Sequence, residues 1–268
     1  VQEAMDLAGI AHLSAIKGRI PFMHFFDGLR TSHEIQKIEA LSNEDMLGIV
    51  DMDAIQKYRE NSLNPEHPVI RGTAQNPDVF FQAREACNPF YDAIPEIVAE
   101  YMDKISAITG RSYKPFDYYG AADAENIIIA MGSVTDTIKE TIDYLAAKGE
   151  KVGLISVHLY RPFSAKYFMN VLPKTTKKIC VLDRTKEVGA NGEPLYLDVV
   201  ELFNNKKERP MIIGGRYGLS SKDTTPAQII SIIENLKSEN PKNQFSVGIV
   251  DDVTFHSLPL LPEISMAT

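Results

Sequence analysis

Cysteine is scarce in this chain: only Cys87 and Cys180 occur among 268 residues. An iron–sulfur cubane takes four thiolates and a structural zinc site about four ligands, so two distant cysteines build neither. Cys180 sits in the buried-strand pattern Lys178-Ile179-Cys180-Val181-Leu182 and Cys87 in a helical stretch. Both read as small hydrophobes of a reducing compartment. Long apolar runs are missing too, and none approaches the roughly 20 residues that cross a bilayer. The start, Val1-Gln2-Glu3-Ala4-Met5-Asp6, has neither the basic region nor the apolar core of a signal peptide. It also lacks an initiator Met, which suggests a processed or excised piece. Positive charge is in deficit. A net charge of −8 and a pI near 5.3 argue against a nucleic-acid surface and say little about substrate. Absent as well are Gly-x-Gly-x-x-Gly, a phosphate-loop Gly-Lys-Ser/Thr, Gly-x-Ser-x-Gly, His-Glu-x-x-His and Cys-x-x-Cys. Their absence removes the dinucleotide, phosphate-loop, hydrolase, zinc-protease and redox-motif readings.

What is present is an ordinary globular composition, 44% hydrophobic and 24% charged, in a chain long enough for two domains. Residues 4 to 16 carry a broad apolar helical face that stops at Gly18. Pro21 to Phe26 reads as an apolar strand. Helices are expected around 33 to 39 and 51 to 59, with Ser42-Asn43-Glu44-Asp45 as a cap between them. Residues 63 to 76 are irregular, and a long helical stretch then runs to a stop at Gly110. This first part, 1 to 112, reads as the tail of an α/β domain plus connector helices.

The second part, 113 to 268, is more regular. Buried-strand runs at 126–131, 151–157, 178–182, 211–214 and 245–250 alternate with amphipathic helices near 135–148, 163–171, 194–205 and 226–237. Thr225-Pro226-Ala227-Gln228 is a clean helix start. Alternation of this kind implies a mostly parallel sheet with helices on both faces.

Ligand sites of open α/β sheets gather at the carboxyl ends of the strands. Three of those ends carry an arginine: Arg161, Arg184 and Arg216. Converging guanidiniums can hold a phosphate or carboxylate; the plainer use is ion pairing with Asp183, Glu187 or the acids of a neighbouring domain. Met131-Gly132-Ser133-Val134-Thr135-Asp136 joins a strand to a helix start, which is an anion-site geometry. With one glycine it reads better as a plain capped turn. His24 reads as a packed histidine. Asp27-Gly28-Leu29-Arg30-Thr31-Ser32-His33-Glu34 is a polar loop able to hold an anion and exchange protons, in which His33 serves as acid/base or merely caps a turn.

Phe25-Phe26-Asp27-Gly28-Leu29-Arg30-Thr31-Ser32-His33-Glu34-Ile35 resembles pyruvate:ferredoxin (flavodoxin) oxidoreductases. So, in order, do Leu159-Tyr160-Arg161-Pro162-Phe163, Leu182 to Glu187, Gly214-Gly215-Arg216-Tyr217-Gly218 and Val247 to Thr254. Val188 stands where the family usually has proline, a departure that should hardly touch function. The resemblance implies that 1–112 is the later part of a pyrimidine-binding domain and 113–268 a domain similar to the C-terminal domain of transketolases. It also implies a thiamine-diphosphate enzyme that turns pyruvate and coenzyme A into acetyl-CoA and CO2. Its electrons would pass through [4Fe-4S] clusters to ferredoxin or flavodoxin. Asp27, Arg30, Thr31, His33 and Glu34 would then lie near substrate and cofactor, with no catalytic residue assigned. Thiamine diphosphate, Mg2+ and the clusters would belong to the whole enzyme, this chain alone holding none and containing no metal site. The partners implied are the remaining domains and a second copy in a homodimer, in the cytoplasm or an anaerobic organelle such as a hydrogenosome. Two other readings stay open: the same region of a paralogue acting on another 2-oxo acid, and a non-catalytic assembly module.

Overall fold

A computed structural model describes residues 1–68 and 74–264; the side chain of Arg30 lies outside the description. The chain divides into two compact units. One comprises residues 1–25 and 35–115, the other 26–34 and the chain from 116 onward.

The first unit is helical. Helix α1 (Gln2–Gly18) ends at Arg19 in the left-handed region. After the four-residue turn α2 (Arg30–His33), which belongs to the other unit, come α3 (Asn43–Ile49) and α4 (Met52–Glu60). The Ser42 hydroxyl and Asp45 carboxylate cap α3 reciprocally, as the Ser-x-x-Asp spacing requires. The expected long helix is two, α5 (Pro77–Glu85) and α6 (Asn88–Thr109). Pro89, which has no backbone N–H, stands in the first turn of the second helix, where none is needed, while Pro95 is accommodated inside it. Gly110, at φ 72°, ends α6 as expected.

Three sequence expectations fail in this half. Residues 21–26 form no strand: Met23, Phe25 and Phe26 are exposed, and among the described residues no strand pairs with them. Residues 34–42 are not helical; the Gln2 side chain both donates to and accepts from the Glu39 backbone and holds it extended. The elements described in the first unit are all helices. His24 is exposed rather than packed.

α1 and α6 bury Ile10, Leu13, Ile94, Val98, Met102 and Ile105 between them. At the rim of this apolar core Asp6 is wholly buried, which is tolerable only because donors surround it. It accepts from Arg111 Nε at 2.6 Å, Tyr113 Oη at 2.6 Å and Gln2 Nε2 at 3.2 Å. Burial pushes the Asp6 carboxyl up; the Arg111 and Tyr113 hydrogen bonds outweigh it and hold the acid below its ordinary value.

In the second unit a six-stranded sheet runs in the order β1-β3-β2-β4-β5-β6. Its strands are β1 (Phe116–Gly120), β2 (Asn126–Ala130), β3 (Val152–Val157), β4 (Lys178–Asp183), β5 (Met211–Arg216) and β6 (Phe245–Ser246). All pairings are parallel except β1 with β3. Alternate strand residues feed two cores. Ile128, Leu154, Cys180 and Leu182 face α7 (Val134–Ala146) and α10 (Pro226–Lys237). Ile127, Ile129, Ile155 and Val181 face α8 (Ala165–Val171) and α9 (Pro194–Phe203). Burial pushes the Cys180 thiol up, in keeping with an inert core residue. Two details depart from expectation: β1 was not anticipated, and β6 spans two residues rather than six. β1 has a polar, aromatic sequence, and it pairs because Gly120, at φ 115°, lets the backbone approach Val152 closely.

Replacing Tyr113 by Phe removes one hydrogen bond to a buried ionised carboxylate. Chemical denaturation of this chain is expected to show a loss of about 1.5–3 kcal/mol. An unchanged midpoint would show that Arg111 and Gln2 suffice to satisfy Asp6.

Candidate functional site

Among the parallel strands β2 to β6 the order contains one reversal. The chain goes from β2 outward to β3, then crosses back to β4 on the other side of β2 before continuing to β5 and β6. The crevice between the carboxyl ends of β2 and β4 is therefore the topological switch point, where open α/β sheets bind ligands. Two groups project there. After β2, the turn Met131–Ser133 leads into α7 and presents a backbone N–H at a helix N-terminus; after β4 comes Arg184.

The group between them is the carboxylate of Asp27. Its Oδ2 accepts from the Ser133 N–H at 2.5 Å, and its Oδ1 accepts from Arg184 Nη1 at 2.5 Å. Arg184 is itself held by a second bond, Nε to the Gly218 carbonyl at 2.9 Å. Gly132 makes the approach possible: at φ 80° its added Cβ would stand 2.8 Å from Asp27 Oδ2. The turn after β2, read from sequence as a plain cap, is thus an anion site occupied from within the chain; the Ser133 side chain makes no cap bond. Asp27 keeps 13% of its side-chain exposure and Arg184 28%. Burial raises the Asp27 carboxyl, while the hydrogen bonds from Ser133 and Arg184 lower it more, leaving the group ionised below the usual carboxylate range.

Around this tie lies a cleft of about 110 Å3, lined by Gly28, Thr31, Thr137, Tyr217, Lys222 and Thr224 among others. Pockets for cofactor-sized molecules run to roughly 300–1,000 Å3, so this one suits a few waters or a single small anionic group. Tyr217 is buried and donates to the Met131 carbonyl at 3.4 Å; burial first, then the nearby Asp27 charge, raises its phenol.

Of the loop residues named from sequence, Thr31 lines this cleft, and Asp27 is bonded to two of its lining residues, Ser133 and Arg184. His33 and Glu34 are exposed. His33 Nδ1 lies 2.6 Å from the Leu29 carbonyl, so that nitrogen carries a proton and is spent on its own turn. The Arg30 side chain lies outside the described residues. The three strand-end arginines do not converge. Arg184 takes Asp27; Arg161 pairs with Asp198 at 2.5 Å over the Tyr160 ring; Arg216 reaches Glu193 at 3.4 Å and the Gln244 carbonyl at 2.5 Å. Asp183, suggested as a partner, accepts instead from the Leu195 and Tyr196 N–H groups at the start of α9. Its carboxyl is pushed up to about 6, chiefly by burial, with Glu193 and Asp198 adding to the rise. Sequence reasoning missed Ser133 N–H, Tyr217 and the Lys222–Thr224 segment as neighbours of Asp27; the strand order that gathers them leaves no local signal.

Among the described residues no three His, Cys, Asp or Glu side chains stand close enough to hold a metal ion.

Comparison with known proteins follows the same two halves. Residues 1–103 match the family described as pyruvate flavodoxin/ferredoxin oxidoreductase, thiamine diP-bdg, and residues 124–229 match pyruvate:ferredoxin oxidoreductase core domain II. The chain belongs to the pyruvate:ferredoxin/flavodoxin oxidoreductase family. It is 63% identical to the pyruvate-flavodoxin oxidoreductase of Enterobacter agglomerans over 97% of its length. It is 55% identical over 98% to the pyruvate:ferredoxin oxidoreductase of Moorella thermoacetica. In both cases it covers 22% of the relative, so the chain spans about a fifth of the length of these oxidoreductases. A solved 2-oxoglutarate:ferredoxin oxidoreductase from Magnetococcus marinus aligns over 64% of this chain and 27% of that one. The identity is 17% and the TM-score 0.40, too distant a likeness to carry an argument.

Asp27→Asn keeps the shape and one acceptor but removes the charge that Arg184 meets. Urea unfolding near pH 7 is expected to show a loss of about 2–3 kcal/mol, the partial exposure of Arg184 trimming a fully buried pair. Because the folded-state pKa is lowered, the charge contributes fully above the unfolded value near 4, and the contribution is lost as pH falls through the folded value. The gap between wild type and Asp27→Asn should therefore be flat from about pH 6 to 8 and narrow below about pH 4. A gap that widens in acid would contradict the assignment.

Proposed function

We propose that this chain is part of a thiamine-diphosphate and iron–sulfur dependent enzyme that oxidatively decarboxylates pyruvate to acetyl-CoA and CO2, passing electrons to ferredoxin or flavodoxin. The observation that carries the reading is the 63% identity to a pyruvate-flavodoxin oxidoreductase across 97% of the chain. Thiamine diphosphate is supported by the family matched over residues 1–103, while Mg2+ and [4Fe-4S] clusters would be held by other parts of the enzyme. In this reading residues 1–112 belong to the pyrimidine-binding domain and 113–268 to a transketolase-C-terminal-like domain. Asp27, Arg30, Thr31, His33 and Glu34 form a loop close to substrate and cofactor. Thiamine diphosphate would supply the carbanion chemistry; this chain's own part is to shape and hold that loop.

Two further elements complete the proposal. The other domains and a second copy cover the apolar side chains left open on the first unit, among them Phe80, Phe81, Tyr58 and Leu63. No helix among the described residues is long and apolar enough to cross a membrane. With bacterial relatives, that supports a cytoplasmic setting.

Two measurements test this. The isolated chain, supplied with pyruvate, coenzyme A, thiamine diphosphate and methyl viologen, is expected to show no dye reduction above background and no bound iron by elemental analysis. Turnover would mean that the remaining domains are not needed. In the full-length enzyme, Arg30→Ala is expected to lower kcat/KM for pyruvate at least tenfold more than Arg216→Ala. Arg216, paired with Glu193, serves stability. Equal losses would reject the placement of the loop at the substrate.

A further inference from the structure

We propose that Arg184, together with the Ser133 N–H, positions loop 26–34 for the reaction by holding the Asp27 carboxylate in the sheet's own ligand crevice. The inference rests on the reading above that this loop faces substrate, and it gives the strand-and-helix unit a task of its own.

Four observations converge on it. Loop 26–34 is remote in sequence from the sheet, yet it clusters with the sheet unit rather than with the helices on either side of it in the chain. Its anchoring carboxylate lies between the carboxyl ends of β2 and β4, the place where this class of sheet binds anionic ligands. The receiving groups are pre-set. α7 is thirteen residues long and directs its N-terminus at the carboxylate, Gly132 leaves the space, and the Gly218 carbonyl fixes the guanidinium plane. The side chains of Phe26, Leu29, Ser32, His33 and Glu34 are exposed, and the turn bonds within itself through Ser32 and His33 to the Leu29 carbonyl, so the Asp27 carboxylate is its charged tie to the sheet. A loop with exposed side chains is set in place on the sheet through this half-buried charge. Arg184 touches no reacting atom in this scheme; it acts through Asp27 on Thr31 and its neighbours.

The test uses the full-length enzyme carrying this segment, as Asp27→Asn, Arg184→Ala and Arg184→Lys variants. Lys177→Ala is the control, a charge lost from the exposed Lys177–Glu125 pair at the start of β4. Two quantities are read on each: hydrogen–deuterium exchange of peptides spanning 26–34, and kcat and KM for pyruvate with methyl viologen as acceptor. Arg184→Ala and Asp27→Asn are expected to speed exchange in 26–34 at least tenfold, with 126–130 and 178–183 still protected, and to lower kcat/KM at least tenfold. Arg184→Lys, which keeps a cation without the planar fork, should recover part of both, and Lys177→Ala should leave both unchanged. If Arg184→Ala does not fold, Asp27→Asn carries the test, since it retains the side-chain shape. Unchanged exchange in a folded variant overturns the positioning role whatever the kinetics. Faster exchange with unchanged kcat/KM overturns the underlying placement of the loop at the substrate, and with it the catalytic meaning of the tie.

Discussion

An ionised carboxylate leaves water only where donors replace its hydration shell, and Asp27 finds them at the one reversal among the parallel strands of the sheet. That requirement reaches a long way. It accounts for the glycine at 132, the second hold on Arg184, and the grouping of a loop with partners 106 and 157 positions away in the sheet unit. The pair is worth little as a bare attraction. It matters because each partner, left alone, would be a poorly solvated charge.

Filling a ligand crevice from within the chain has a second effect. The position that a free-standing α/β domain offers to a phosphate or carboxylate is taken here by Asp27, and the cleft beside it measures about 110 Å3. The sheet unit is therefore built as a support whose ligand is a piece of its own polypeptide. This fits a family in which the segment described here is about a fifth of a much larger enzyme. The other strand-end arginines follow the same economy of local pairing, Arg161 with Asp198 and Arg216 with Glu193, so positive charge at this sheet end is neutralised residue by residue.

The strands β2 to β5 and all four flanking helices could be read from the sequence because the strands are largely buried on both faces and so appear as short, mainly apolar runs. β1 could not: Phe-Asp-Tyr-Tyr-Gly has no such run, and it becomes a strand only by lying against β3. The segment 21–26 shows the converse, an apolar stretch without a pairing neighbour among the described residues. The loop 26–34 was recognisable as chemically unusual, and Arg184 as one of three strand-end arginines. That Asp27 would choose Arg184, 157 positions away, depends on strand order, which local pattern does not encode. The Ser133 contribution is a backbone N–H and has no side-chain signature at all.

The two margins of the sheet are also unlike each other and equally blunt. β6 is two residues long, and its outer side is taken up by the returning segment 256–258, through Ser246 N–H to the His256 carbonyl and Leu258 N–H to the Ser246 carbonyl. β1 is five residues long, carries Asp117 and ends at Gly120, where the backbone turns out of the ladder. Neither margin offers a long, flat row of unpaired amides to a neighbouring polypeptide, so strand-to-strand zippering between copies is disfavoured. Contacts that this segment makes within a larger assembly are thereby left to side-chain surfaces, which can be selective about their partner in a way that bare backbone cannot.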